Sequence, residues 1–240
     1  MNSPSESPGT IFPGLRSWWW VAVAAFMFAG TVAAGFAAKS FGPLTPELEI
    51  DITLSHGRNS ALIAVSEAIH HGLGPAGATI LVLIICGYLL WFRDGPVQAM
   101  AFGSVVAVGW LASMAGKILV SRSRPPSDVA GSLVPESGKY SFPSGHTAFA
   151  ASLVLAITLV LAHNAAQRLA ALIGGTLFVA VVAFTRMYLG VHYLSDVIGS
   201  VLISSAAILA WAPVWNNFMA PRVSGNSFIQ GLAVRASERR

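Results

Sequence analysis

Six stretches of this 240-residue chain are apolar for long enough to cross a bilayer, and they restrict the fold it can adopt. They cover roughly residues 18–38, 76–92, 96–116, 144–162, 169–185 and 197–214. A hydrocarbon core of ~30 Å takes about 17–25 helical residues, and inside it each segment must satisfy its own backbone polar groups, which favours helices. Charged residues make up 10% of the chain and hydrophobic ones 55%, with a mean hydropathy of +0.67. A soluble domain carries about 25% charged residues, so this surface cannot face water all round. The expected fold is all-α: an integral membrane bundle of six transmembrane helices, forming a single domain over residues 1–240. The tails, 1–16 and 216–240, are expected to be flexible. The first run spans 21 residues, longer than the ~7–15 of a signal-peptide core, and is read as a retained first span.

The connections refine this layout. Arg93-Asp94-Gly95 joins the second and third runs, and residues 163–168 join the fourth and fifth; links this short make antiparallel neighbours. Between the first and second runs, residues 47–54 and 61–69 mix apolar and polar side chains at near-helical spacing, which predicts short interfacial helices. Trp18, Trp19 and Trp20 at the start of the first span, with Trp211 and Trp215 near the end of the last, fit an aromatic belt. The single cysteine, Cys86, lies in an apolar run and has no partner for an internal disulfide, so it reads as a structural thiol. A net charge of +4 invites a nucleic-acid partner, but no Lys/Arg cluster is interleaved with aromatics, and four of the 14 basic residues sit in three short polar islands instead. The expected surroundings are a lipid bilayer, with no nucleic acid.

Those islands interrupt apolar sequence, where an ionisable side chain is expensive and marks a functional site. In the third, His192 and Asp196 are spaced i, i+4 and share one helix face. The carboxylate there is placed to accept the imidazole Nδ1–H and leave Nε2 free to attack. Arg186, six residues before His192, offers a guanidinium fork to phosphate oxygens. In the second island Pro143 disfavours helix before it, Ser144 is a good N-cap, and an apolar helix follows. The free N–H groups of such a start form an anion site; Gly145 admits a close ligand, and His146 stands where it could protonate a leaving oxygen. The first island places Lys117 at the end of the third span and Arg124 seven residues on, with Pro125 biasing Arg124 out of the helix. His70 and His71 read as interfacial, His56 and His163 as loop residues, and Asp128 and Glu136 as solvated surface charge.

Read together, KILVSRSRP (Lys117 to Pro125), PSGH (Pro143 to His146) and TRMYLGVHYLSD (Thr185 to Asp196) resemble, in order, the three motifs of the type 2 phosphatidic acid phosphatase superfamily of integral-membrane lipid phosphatases. The one departure is Thr185 where serine is usual, which keeps the hydroxyl. The resemblance implies His192 as nucleophile, Asp196 as its orienting partner and His146 as general acid. It implies phosphate binding by Lys117, Arg124, Ser144, Gly145 and Arg186, with no metal and no cofactor. The implied substrate is a lipid phosphate or diphosphate. Undecaprenyl diphosphate is preferred over phosphatidylglycerophosphate or phosphatidic acid, because an outward-facing site suits carrier-lipid recycling.

Orientation rests on loop charge. With six spans both termini share a side, which holds Arg16, Arg93, Arg168, Arg222, Arg235, Arg239 and Arg240; the other side also holds seven basic residues. Setting aside Lys117, Arg122, Arg124 and Arg186 of the islands leaves seven against three, which favours cytoplasmic termini in the plasma membrane and all three islands on the outer face. A transporter of phosphorylated lipid would call for paired broken helices in two repeated halves, and none is visible. A silent binding protein would be expected to lack His192 or Asp196, and both are present. A vanadate-dependent haloperoxidase would use a similar cradle but in a soluble protein.

Overall fold

The computed structural model describes residues 14–92, 95–136, 138–227 and 229–231. Arg93, Arg235, Arg239 and Arg240 from the charge count, Asp94 of the link between the second and third runs, and most of the 1–16 tail lie outside the described residues. The elements in order are α1 (Trp19–Ser40), α2 (Leu48–His56), α3 (Ser60–Gly72), α4 (Pro75–Phe92), α5 (Pro96–Val120), α6 (Ser127–Ala130), α7 (Gly145–Ala156, continued by a π-helical turn Ile157–Leu161), α8 (Ala165–Tyr188) and α9 (Leu194–Val214). A second π-helical turn, Trp215–Met219, leads into α10 (Ala220–Gly225). No strand occurs among the described residues; Ser123 and Tyr140 form an isolated antiparallel bridge.

Five helices are long and apolar enough to cross a membrane: α1, α4, α5, α8 and the continuous run Leu194–Gly225; Gly145–Leu161 is apolar but shorter. The fourth expected span is therefore the one that falls short. Its surroundings explain why. α7 packs against α5, α8 and α9, and most of its residues, from His146 to Leu153, are buried. A helix sheathed in protein need not match the thickness of the lipid around it. The outer helices do the opposite and expose Phe26 (81%), Ile118 (73%) and Leu177 (67%). Apolar surface on that scale has no place against water. The chain is a multi-pass membrane protein.

Close approach of the spans depends on small residues, as expected where lipid supplies no hydrophobic drive. Phe142, just before the Pro-Ser-Gly-His turn, is 2% exposed. It lies between α1 and α9 where a Cβ on either Gly35 or Gly199 would collide with its ring. These two glycines let one aromatic ring pin the start of α7 to two other helices.

The short helices between α1 and α4 form as the spacing predicts, and they do more than lie at an interface. Asn59 caps α3, accepting from the Leu62 N–H. Arg58 donates to the carbonyls of Tyr188 (2.9 Å), Gly131 (2.5 Å) and Ala130 (3.1 Å), tying the α2–α3 junction to the end of α8. Two expectations about the far end of the chain are corrected. Residues 216–225 continue the last helix instead of starting a loose tail, because Trp215, Ala220 and Val223 are apolar and buried; residues 232–240 lie outside the described residues. The Asn217 amide also bonds the Arg16 carbonyl at 2.9 Å. Trp215 is 2% exposed and belongs to the core, while Trp18 and Trp19 keep the exposed position of a belt. Cys86 donates to the Ala99 carbonyl at 3.4 Å, in keeping with a structural thiol.

Candidate active site

The three islands meet at one end of the bundle, where α5 ends, α7 begins, α8 ends and α9 begins. Gly190, at φ +72°, follows the last turn of α8 in the left-handed region that only glycine enters readily. The chain turns there and brings His192 back under Arg124, before α9 starts at Leu194.

His192 is 1% exposed. Its Nε2 lies 3.2 Å from Arg124 Nη1, and a guanidinium can only donate. The Nε2 lone pair is therefore free of hydrogen, and the ring proton sits on Nδ1, which faces Asp196 Oδ2 at 3.4 Å. That tautomer suits a nucleophile. The Nδ1 contact lacks hydrogen-bond geometry, a common looseness in sites without substrate. Burial first, then the charge of Arg124, holds the basicity of His192 well below that of an ordinary histidine, so the ring is neutral at pH 7.

Arg124 also donates to the Gly138 carbonyl (2.9 Å) and the Val191 carbonyl (2.9 Å). Arg186 is fully buried, and its Nη1 donates to His70 Nδ1 at 3.0 Å. His146 Nε2 lies 3.0 Å from the His70 carbonyl, which can only accept, so Nε2 carries a proton. The two rings stack with centroids 5.3 Å apart. Ser144 caps α7, its hydroxyl accepting from the Thr147 N–H. A Cβ built on Gly145 would meet no protein atom within 4 Å, so space is open in front of this helix start. Lys117 is turned elsewhere, donating to the carbonyls of Tyr140 (3.0 Å) and Ser141 (3.2 Å). Thr185 bonds the Val182 carbonyl of its own helix at 2.8 Å and points no hydroxyl at the arginines.

One residue overturns its sequence reading. Glu136 is not a solvated surface charge: its side chain is 12% exposed, with one oxygen on Arg186 and the other 3.2 Å from Arg124 Nη2. It lies between two cavities of about 240 Å³ each. One is lined by Arg124, Ser127, Ser132 and Val191, the other by His70, His71, Pro75 and His146. Asp128, by contrast, is exposed as expected. His70 is also part of the site, with its basicity lowered by burial and then by Arg186. His71 is exposed beside it, and His56 and His163 stay in exposed positions. The third missed residue is Arg122, 2% exposed, which bonds Asp196 Oδ1 at 2.9 Å.

His70, Glu136 and His146 bring ligand-type atoms within 4.8 Å of one another. Both Glu136 oxygens already hold guanidinium donors, however, so a cation there would face Arg124 and Arg186. The charge pattern suits an anion.

Fold and site together define a helical membrane protein in which two arginines and one carboxylate meet beside His192 and His146. The sequence profile described as the PAP2 superfamily matches residues 97–220, more than half of the chain, and the protein belongs to that superfamily. Membership sets the class of activity, a membrane lipid phosphatase. No curated protein matches the sequence. Among solved structures, a transmembrane PAP2 type phosphatidylglycerolphosphate phosphatase from Bacillus subtilis is similar, with a TM-score of 0.62 over 83% of this chain and 96% of that one. The two are 20% identical, and a likeness at that level carries the fold alone.

Proposed function

We propose that the protein hydrolyses a lipid phosphate or diphosphate through a phosphohistidine intermediate. His192 Nε2 attacks phosphorus, the bond to the leaving oxygen breaks, and the imidazolium form of His146 passes its Nε2 proton to that oxygen, becoming neutral. In doing so His146 exchanges the His70 carbonyl for the leaving group. Water then attacks the phosphohistidine, returning a proton to His146, and the N–P bond breaks to release inorganic phosphate. Arg124 and Arg186 hold the phosphoryl oxygens, with Ser144, Gly145 and the α7 N-terminus on another side and Lys117 bracing the turn behind them.

The observation that carries this reading is the position of the Glu136 carboxylate. An anion rests on both arginines, with an oxygen within 4.8 Å of a His146 ring nitrogen, and it shares the Arg124 guanidinium that reaches His192 Nε2, a position that suits a transferred phosphoryl group. Phosphate must displace that carboxylate, so Glu136 acts as an internal competitor. Glu136→Gln should lower the inhibition constant of inorganic phosphate or vanadate about tenfold, since one charge-assisted hydrogen bond is worth ~1.5–3 kcal/mol and 1.4 kcal/mol corresponds to tenfold. An unchanged or raised inhibition constant would remove Glu136 from the phosphoryl position.

The preferred substrate is undecaprenyl diphosphate, giving undecaprenyl phosphate and inorganic phosphate. Support comes from the sequence, where non-site basic residues number seven against three in favour of the side assigned to the termini, a bias that points the site outward, where a carrier lipid is recycled. Phosphate release from undecaprenyl diphosphate, phosphatidylglycerophosphate and phosphatidic acid, measured with the purified protein in the presence of a chelator, tests the choice. The highest kcat/KM is expected for the diphosphate, and a clear preference for phosphatidylglycerophosphate would replace it.

A further inference from the structure

We infer that Arg122, held in place by Glu47 of α2, is a positioning residue for this reaction: it fixes one oxygen of Asp196 so that the other faces His192. The inference rests on His192 as nucleophile, as proposed above. Asp196 is fully buried. Its Oδ1 accepts from Arg122 Nη1 at 2.9 Å, and its Oδ2 accepts from the Tyr193 N–H at 3.0 Å while facing His192 Nδ1. The Ser141 hydroxyl also bonds this carboxylate. Arg122 adds a charged donor on Oδ1, and a carboxylate so held keeps Oδ2 turned toward the imidazole.

Arg122 is itself over-determined. Nη1 also donates to Ser195 Oγ at 2.6 Å, Nη2 donates to Glu47 Oε1 at 3.1 Å, and the guanidinium carbon lies 4.0 Å from the Tyr193 ring centroid. Glu47 Oε2 accepts the Ser195 N–H at 2.7 Å, so this one carboxylate caps the first turn of α9 and balances Arg122. Docking α2 on α9 would need only the Glu47–Ser195 contacts. A guanidinium that reaches past Ser195 to Asp196 does something further: it places a positive charge directly behind the carboxylate that faces the nucleophile, with the negative charge of Glu47 one link behind that.

Removing either charge should therefore shift the proton affinity of His192, and in opposite directions. Arg122 disfavours a proton on the Asp196–His192 pair, so Arg122→Gln should move the acid limb of kcat/KM to higher pH. Glu47 favours it, so Glu47→Gln should move the limb to lower pH. Shifts of about half a unit are expected from charges at one remove. The other groups facing the pair are Lys117 from α5, Arg124 after it, His146 from α7, Arg186 from α8 and Asp51 from α2. Burial pushes the Asp51 carboxyl up to about 8. The first four are not substituted, and because the Asp51 carboxyl is coupled to both Glu47 and Arg122, the two profiles are compared in an Asp51→Asn background.

The test is a set of pH profiles with one substrate for wild type, Arg122→Gln, Arg122→Lys, Glu47→Gln and His192→Ala. Arg122→Gln should lower kcat ten- to a hundredfold with KM little changed, and Arg122→Lys should recover part of it. A contact that only holds helices together would move both limbs the same way or not at all, and that result overturns the inference. If Arg122→Gln does not fold, Glu47→Gln decides alone: a downward limb supports the inference and a stationary one sinks it. Activity retained by His192→Ala would instead strike the proposed nucleophile.

Discussion

His192→Ala is expected to abolish turnover, by about 10³-fold or more, the scale seen when a covalent nucleophile is removed. The ring is neutral at working pH, with its lone pair on Nε2 beside Arg124 and its proton toward Asp196. Among the described residues no other side chain at the arginine pair is a comparable nucleophile: Glu136 is a carboxylate held by both guanidiniums, and His70 Nδ1 already accepts from Arg186. Asp196→Asn should lower kcat about a hundredfold or more while the protein still folds, because an amide fixes the wrong imidazole tautomer. A phosphoenzyme trapped at alkaline pH should be present in wild type and missing in His192→Ala. His146 adds a second signature. Its replacement should slow a poor leaving group more than an activated aryl phosphate, since only the former needs a proton. If His192→Ala keeps more than a few per cent of activity, the nucleophile is another group.

How much of this could be read from sequence differs residue by residue, for physical reasons. His146, Arg124, Arg186, His192 and Asp196 stood out because ionisable groups at the ends of apolar helices are costly, and their convergence at one end follows from antiparallel spans. Lys117 was found by the same signal, yet the path of residues 138–141 draws its ammonium to backbone carbonyls and away from the anion slot. Glu136 and His70 carried no local signal of comparable strength. A loop between two islands places the first, and the docking of α3 on α8 places the second; neither is encoded in spacing. Glu136 had one clue, a rare acidic residue lying between two cationic islands. Arg122 was visible only as a second arginine two positions before Arg124. Residues 216–225 were misjudged as tail because polar Asn216 and Asn217 interrupt the hydropathy, while Trp215, Ala220 and Val223 keep one face apolar. The length of α7 was misjudged for the opposite reason: its sequence is uniformly apolar, but it is surrounded by protein and not by lipid.

The side of the membrane on which this site opens decides which lipid can reach it. The islands lie at the end of the bundle where α1, α5 and α8 finish and α4, α7 and α9 begin, and the described part of the N-terminal segment meets the C-terminal helix at the other end, with Trp18 and Phe218 rings 5.7 Å apart. Counting α7 as a sixth crossing, the start of α1 and the end of α9 share a side, and the seven-against-three excess of non-site basic residues that the sequence assigns to that side is expected to hold it in the cytoplasm. Lys139 and Arg168 mark the two ends, and both are exposed. In a Cys86→Ser background, Lys139→Cys should react with a membrane-impermeant maleimide in intact cells, whereas Arg168→Cys should react only after permeabilisation. A charged headgroup does not cross the hydrocarbon core cheaply, so the expected pattern confines catalysis to lipid presented at the outer leaflet, as carrier recycling demands. The reverse pattern would place His192 on the cytoplasmic side. Undecaprenyl diphosphate would then give way to a phospholipid phosphate of the inner leaflet, with the chemistry at Arg124, Arg186 and His192 unchanged.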